Sequence, residues 1–295
     1  MTSERIPVLL DTDLGDDIDD AWALSVCLNH PGLELLGVST VWQDTQLRAA
    51  QARYLLELAG RRDVEVAAGS RDALDRINHL PRNCQADVLD AATESRLRAG
   101  RDDAVSFLAE QVERRPGAVL LTIGPLTNAA RLRCEFPESF AKLSRVVVMG
   151  GHIMPDRPEP EYNVMCDPRA SQIVYECGKP LAMIGLDVTL RCVMTAEDLA
   201  AIGAKSTPLG QAILRMTELW QRAVTPAGQT PYMPCVHDPL AALAVAEPDI
   251  VEWQTLDVYI DHLGRCVVAE GPTDTRVAVG VDPERVRRRV VELVG

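Results

Sequence analysis

The sequence predicts one α/β domain spanning residues 1–295, built on an open, mostly parallel sheet that is Rossmann-like and doubly wound, with added C-terminal helices and a β-hairpin region. Three observations predict it. Short continuous apolar runs recur with room for a helix between them, the pattern of strands buried on both faces. Several of these runs end at Gly, Pro or Asp, residues that turn a strand into a helix. No fixed-period repeat competes with the alternation, and 295 residues, 47% of them apolar, suffice for one large core.

The elements follow in order. Val8, Leu9 and Leu10 read as a first strand that stops at Asp11, after which the chain turns through Gly15 into an amphipathic helix carrying Ile18, Trp22, Leu24 and Val26. Asn29-His30-Pro31-Gly32 ends that helix, and residues 33–41 form a second strand. The polar turn 42–45 leads to a helix through Leu58, stopped by Gly60. After a third strand, Val64 to Ala67, the chain reads as irregular from Gly69 to about Ala99, either an active-site loop or a mobile surface loop. A helix from Asp103 to Arg114 precedes the fourth strand (118–124), whose helix is entered through Pro125 and Thr127. The fifth strand (145–151) exits into His152 and a proline-rich loop to Pro160, and residues 161–168 open another helix. A sixth strand (180–187) ends at Asp187, a long helical segment runs from Thr195 to about Val224, and a helix covers 236–246. The remainder reads as strands with hairpin-like turns and a short helix ending at Val294.

Composition narrows the function. A net charge of −13 with no lysine-rich or arginine-rich face argues against nucleic acid as a partner. The basic cluster Arg285 to Arg289 is a solvated helix face. No uncharged apolar run approaches a membrane span, and the N-terminal residues lack a signal-peptide layout, so a cytoplasmic protein is expected. The eight cysteines show no CxxC pair or zinc spacing and read as free thiols.

The chemistry concentrates at one turn. Six aspartates fall within residues 11–20: Asp11, Asp13, Asp16, Asp17, Asp19 and Asp20. Acidic residues suit a helix N-terminus, which accounts for two or three of them. It does not account for Asp11 and Asp13, which end an apolar strand where open α/β sheets bind ligands. If the strand pleat continues, those two share a side, while the other four crowd the helix start. So many carboxylates repel unless a cation sits among them, and oxygen-only ligands favour Ca²⁺ or Mg²⁺ over zinc. Asp44, Thr122, Met149, Glu161 and Asn163 stand at other strand exits, and the His237-Asp238 pair precedes a helix far along the chain. That pair supplies what the turn lacks, a distant carboxylate and a histidine able to move a proton.

Five motifs in order carry a resemblance: DTDLG…DDAWAL at the start, then TIGPLTNAA, VVVMGG, EYNVMCDP and VHDPLAA. Together they resemble the inosine-uridine preferring nucleoside hydrolases over nearly the whole chain. The resemblance implies a Ca²⁺-dependent hydrolase that splits ribonucleosides into free base and ribose, a role in purine or pyrimidine salvage, and a homo-oligomer (dimer or tetramer). It implies that Asp13, Asp20, Asp238 and the Thr122 carbonyl hold the ion, and that Asp13 also activates a metal-bound water. It assigns Asp19, Glu161 and Asn163 to the ribose hydroxyls, Asp11 to support of the cluster, and His237 to the leaving base; Met149 and Asp44, at their strand exits, are expected at the substrate. Departures are visible: the acidic motif lacks its usual Pro and is two residues longer before Asp19-Asp20, Asp44 stands where many members have Asn, and the loop after Gly151 lacks the Asn that commonly reaches the 5′-hydroxyl. The His-Gly segment common after the third strand is not recognisable around His79.

Physics agrees with such a site. N-glycosidic cleavage builds positive charge on the ribose, so an anionic pocket favours the transition state over the ground state. Direct attack by water predicts inversion at C1′. Tyr232 is the expected base-stacking residue, with Trp220 expected in the core; His152 is placed either in the pocket or at the surface, and Cys166 and Cys235 lack the pairing a nucleophile needs. Two rivals stand beside this reading: an Mg²⁺-dependent phosphatase of the haloacid-dehalogenase type, which also opens on a strand and DxD but needs a lysine setting absent here, and a non-catalytic ribose or nucleoside binder on the same fold.

Overall fold

A computed structural model describes residues 5–79 and 81–295. The chain opens with β1 (Ile6–Thr12), α1 (Asp19–Asn29), β2 (Leu33–Thr40), α2 (Thr45–Leu58) and β3 (Glu65–Ala68). It continues through α3 (Ala91–Arg98), α4 (Ala104–Arg114), β4 (Val119–Thr122), α5 (Thr127–Glu135), α6 (Pro137–Ala141) and β5 (Arg145–Met149). Next come α7 (Tyr162–Cys166), α8 (Pro168–Tyr175), β6 (Leu181–Ile184), α9 (Leu186–Thr189), α10 (Ala196–Ala204), α11 (Pro208–Val224) and α12 (His237–Ala246). The last part holds β7 (Val251–Leu256), β8 (Val258–Ile260), β9 (Cys266–Val268), β10 (Thr275–Val281) and α13 (Pro283–Leu293).

Eight strands form one sheet in the order β3-β2-β1-β4-β5-β6-β10-β7, parallel except where β7 pairs antiparallel with β10. Period two operates inside the apolar runs. Val8, Leu10, Val119, Leu121, Val147 and Ile184 pack into the core shared with α1, α12 and α13, whereas Leu9, Leu120, Val146, Val148 and Met183 pack into the core shared with α4, α5 and α8. The order reverses between β1 and β4, the switch point where a doubly wound sheet opens a crevice at its carboxyl ends. Asp11 and Thr122 face each other there in register.

Several expectations are corrected. The first helix starts at Asp19, with Asp16 and Asp17 in the bend before it. It is also buried along nearly its whole length, because α12 covers the side the sheet leaves free. The segment expected to be irregular contains α3, capped by Asp90 accepting from the Thr93 amide. The long helix from Thr195 breaks in two: Thr207 caps α11 and Pro208 begins it, because proline lacks the N–H a continuous helix needs. Asp187 lies in α9 beyond the end of β6. Of the C-terminal strands only β8 and β9 make a separate hairpin, while β10 and β7 extend the main sheet.

Candidate active site

The acidic turn is built against a buried cation. Arg48 of α2, 1% exposed, donates from Nε to the Trp42 carbonyl (2.7 Å), from Nη1 to the Asp13 and Leu14 carbonyls, and from Nη2 to Asp16 (2.8 Å). This fixes the backbone after β1. Because β1 stops at Thr12, the pleat does not run on to Asp13. Asp11 stays below the turn, its Oδ1 accepting from Ser39 (2.5 Å) and from Asn128 of α5 (2.8 Å), while Asp13 lines a cavity of about 590 Å³ above it. Gly124 leaves the space Asp13 occupies, since a Cβ there would lie 2.7 Å from Asp13 Oδ1.

Three carboxylates meet at the cavity floor. Asp19 and Asp20 come from the first turn of α1, and Asp238 from the first turn of α12. Each offers an oxygen within 4.8 Å of the others, and all three are buried. The Asp238 amide donates to Asp19 Oδ2 at 3.1 Å, and Thr12 donates to Asp20. Two helix N-termini therefore face the cluster with their positive dipole ends, which partly stabilises the crowding. Burial pushes Asp11 and Asp13 up to about 7, and burial followed by repulsion from neighbouring aspartates, Asp13 and Asp17 included, holds Asp19, Asp20 and Asp238 well above the usual carboxylate range. No ion pair to a cationic side chain reaches those three among the described residues. Oxygen-only donors this close and this short of positive charge fit a hard divalent cation.

The walls continue from the strand exits. Glu161 caps α7, its carboxylate accepting from the amides of Asn163 (2.9 Å), Val164 (3.1 Å) and Gly151 (2.9 Å). Asn163 donates to the Ile123 and Met149 carbonyls at 3.1 and 3.2 Å. Both side chains line the cavity, as does Met149. His237 stands at the start of α12 and shares a 2.7 Å hydrogen bond between its Nδ1 and Thr189 Oγ1. Burial, then the positive Arg157, push its imidazole down to about 4, so at neutral pH the ring is uncharged.

The cavity thus gathers Asp13, Asp19, Asp20, Met149, Glu161, Asn163, His237 and Asp238, with the Thr122 end of β4 beside Asp11 beneath them. Asp44 is a correction: it caps α2 and pairs with Arg98 at 2.7 Å, and it does not line the cavity. The two aromatics are exchanged, because Trp220 of α11 lines the pocket whereas Tyr232 is exposed outside it. His152 is buried against the Glu159 carbonyl. Missed by the sequence were Arg157, Leu186, Leu190 and Val224, which line the cavity from a loop, from α9 and the residue after it, and from the end of α11, positions that only packing sets.

The likeness to known proteins is consistent with this geometry. The pattern of the family described as inosine-uridine preferring nucleoside hydrolase matches residues 8–288. Uridine nucleosidase 1 of Arabidopsis thaliana is 32% identical over 275 residues, 88% of this chain and 80% of its own length. The pyrimidine-specific ribonucleoside hydrolase RihA of Shewanella sp. (strain MR-7) is 32% identical over 297 residues, 94% of this chain and 92% of its own. Among solved structures, a purine-preferring ribonucleoside hydrolase from Gardnerella vaginalis superposes with a TM-score of 0.83 at 25% identity, covering 97% of this chain and 98% of that one.

Proposed function

This chain belongs to the inosine-uridine preferring nucleoside hydrolase family, and from that premise we propose that it hydrolyses the N-glycosidic bond of ribonucleosides with the help of Ca²⁺. The family match also sets aside the phosphatase rival. The observation that carries the reading is the meeting of Asp238 with Asp19 and Asp20, its hydrogen-bonded partner Asp19 lying 219 residues before it in the chain.

In this reading Asp13, Asp20, Asp238 and the Thr122 carbonyl hold the ion. Bound there, Ca²⁺ supplies the positive charge that keeps these carboxylates ionised and polarises the oxygens it touches. Asp13 takes a proton from the attacking water as the water oxygen bonds to C1′. The C1′–N bond breaks and its electron pair leaves on the base nitrogen, which takes up a proton from solvent as Asp13 gives up the one it gained, so that neutral base is released with ribose inverted at C1′. Asp19, Glu161 and Asn163 bind ribose hydroxyls, which fixes C1′ over Asp13. The anionic floor stabilises the positive charge that develops on the sugar. Met149 packs against the ribose, Trp220 covers the base, His237 faces the leaving nitrogen side, and Asp11 supports Asp13 from below. The same reading has the protein act in the cytoplasm as a homo-oligomer, dimer or tetramer, on small nucleosides in salvage.

The test is a panel of purified protein against uridine, cytidine, inosine, adenosine and guanosine with a reducing-sugar readout. Ribose release that stops on exhaustive chelation and returns with Ca²⁺ is expected. Asp13→Ala should abolish release while leaving the protein folded, seen as a cooperative thermal melt. Tight nucleoside binding with no ribose from any substrate would overturn the proposal in favour of a binder.

A further inference from the structure

A second cavity, of about 480 Å³, lies at the opposite end of the sheet from the acidic pocket, at the N-terminal ends of β5, β6 and β10. Its wall carries three cations, Arg145, Lys179 and Arg276, and one carboxylate, Asp274. Asp274 makes no ion pair with any of them among the described residues. The protein carries a net charge of −13, so a wall with more cations than carboxylates runs against the balance of the chain.

The donors in this cleft exceed their acceptors. Each guanidinium carries several N–H groups in a fixed fork and accepts nothing. Arg145 is half-buried at the start of β5 and gives one hydrogen bond, from Nη2 to the Val245 carbonyl at 3.0 Å. Arg276 stands over the Trp253 ring, its Cζ 4.5 Å from the centroid, and donates to no acceptor among the described residues. Lys179 gives two hydrogen bonds, to the Ala141 and Leu143 carbonyls, leaving a third donor. Capping the end of α12 explains one N–H of Arg145, and stacking explains one face of Arg276. Neither explains two guanidiniums brought close enough to repel. Burial, and after it the Arg276 charge, draw the Arg145 guanidinium below its ordinary value.

We propose that this cleft is a second ligand site, distinct from the nucleoside pocket, that binds a phosphate dianion, free or as a phosphate monoester, between Arg145 and Arg276 with Lys179 beside them. A phosphate answers the arrangement better than a carboxylate. It presents enough oxygens to accept from two forks at once, and its double charge balances two guanidiniums. Trp253, held by its own hydrogen bond to the Pro248 carbonyl (2.6 Å), carries Arg276 on its ring and supplies an optical reporter.

The experiment titrates the full chain with inorganic phosphate and, separately, with ribose 5-phosphate, following heat and tryptophan fluorescence at constant ionic strength. Saturable binding is expected, weakened about tenfold or more in Arg145→Gln and in Arg276→Gln, the factor one charge-assisted hydrogen bond is worth. Asp274→Asn, an exposed change that removes the one lining carboxylate, should tighten it. Asp238→Asn should leave it unchanged, which separates this site from the acidic pocket. Tighter binding of ribose 5-phosphate than of phosphate identifies a sugar phosphate as the ligand; equal binding identifies the free anion. No saturable binding, or equal affinity in wild type and all three cleft variants, would overturn the proposal. So would a change of oligomeric state in the arginine variants with phosphate affinity intact, because the cations would then serve subunit contact.

Discussion

Arg48 shows how a single side chain can organise an anionic site without touching the reaction. It is buried under the acidic turn and ties Trp42, Asp13, Leu14 and Asp16 together. Arg48→Met would leave several carbonyls unpaired and withdraw the only guanidinium bonded to this turn among the described residues. We predict a loss of about 3–5 kcal/mol, measured by urea unfolding, with activity falling in parallel. His237 tests the opposite end of the cavity. His237→Ala should lower kcat/KM most for nucleosides with poor leaving bases and spare p-nitrophenyl riboside; an equal loss on both would contradict its place beside the base. At this scale the sequence displayed the carboxylates because a run of aspartates at a strand exit violates charge repulsion and asks for an explanation. It could not display Arg157 or Leu190, which are unremarkable residues in a loop and after a short helix, nor the swap of Trp220 for Tyr232, which depends on how α11 is rotated.

Between elements, the ends of α1 and α12 are joined twice. Their N-termini share the carboxylate cluster, and their C-terminal ends share Glu247, which accepts from Arg289 of α13 (2.6 Å) and lies 3.0 Å from the His30 ring. Burial raises the Glu247 carboxyl, but the hydrogen bonds from Arg289 and His30 outweigh it and hold the group below its ordinary value. A carboxyl lowered in the folded state stabilises the fold above its unfolded value, and loses that contribution as pH falls through the folded one. Glu247→Gln should therefore cost about 1–2 kcal/mol at neutral pH, and the gap to wild type in thermal melts should close as the solution is taken below the ordinary glutamate range. The order of strand and helix was legible because apolar runs and breakers are local signals. The pairing of β10 with β6 was not: alternation in residues 275–281 tells which face is buried and says nothing of which edge the strand joins.

For the whole molecule, the cost of three crowded buried carboxylates falls on folding. An ion bound only by the native state returns that free energy by mass action, about 3 kcal/mol when free ion exceeds Kd a hundredfold. Ca²⁺ should therefore raise the Tm, a chelator should lower it, and Asp238→Asn should remove the difference. Failure of the wild type to respond would count against a resident ion while leaving the fold intact. Among the described residues no helix is long and apolar enough to cross a membrane, which agrees with the absence of any such run in the sequence.

The covering of α1 by α12 has a consequence for biosynthesis. A mostly apolar helix that the finished fold buries on nearly every side leaves the ribosome early, and its companion is more than two hundred residues behind it. During that interval the growing polypeptide has an uncovered greasy cylinder and an unfinished acid triad. Translation must therefore pass residue 246 before either defect is cured, and a stalled or prematurely stopped product should be both inert and a client of chaperones.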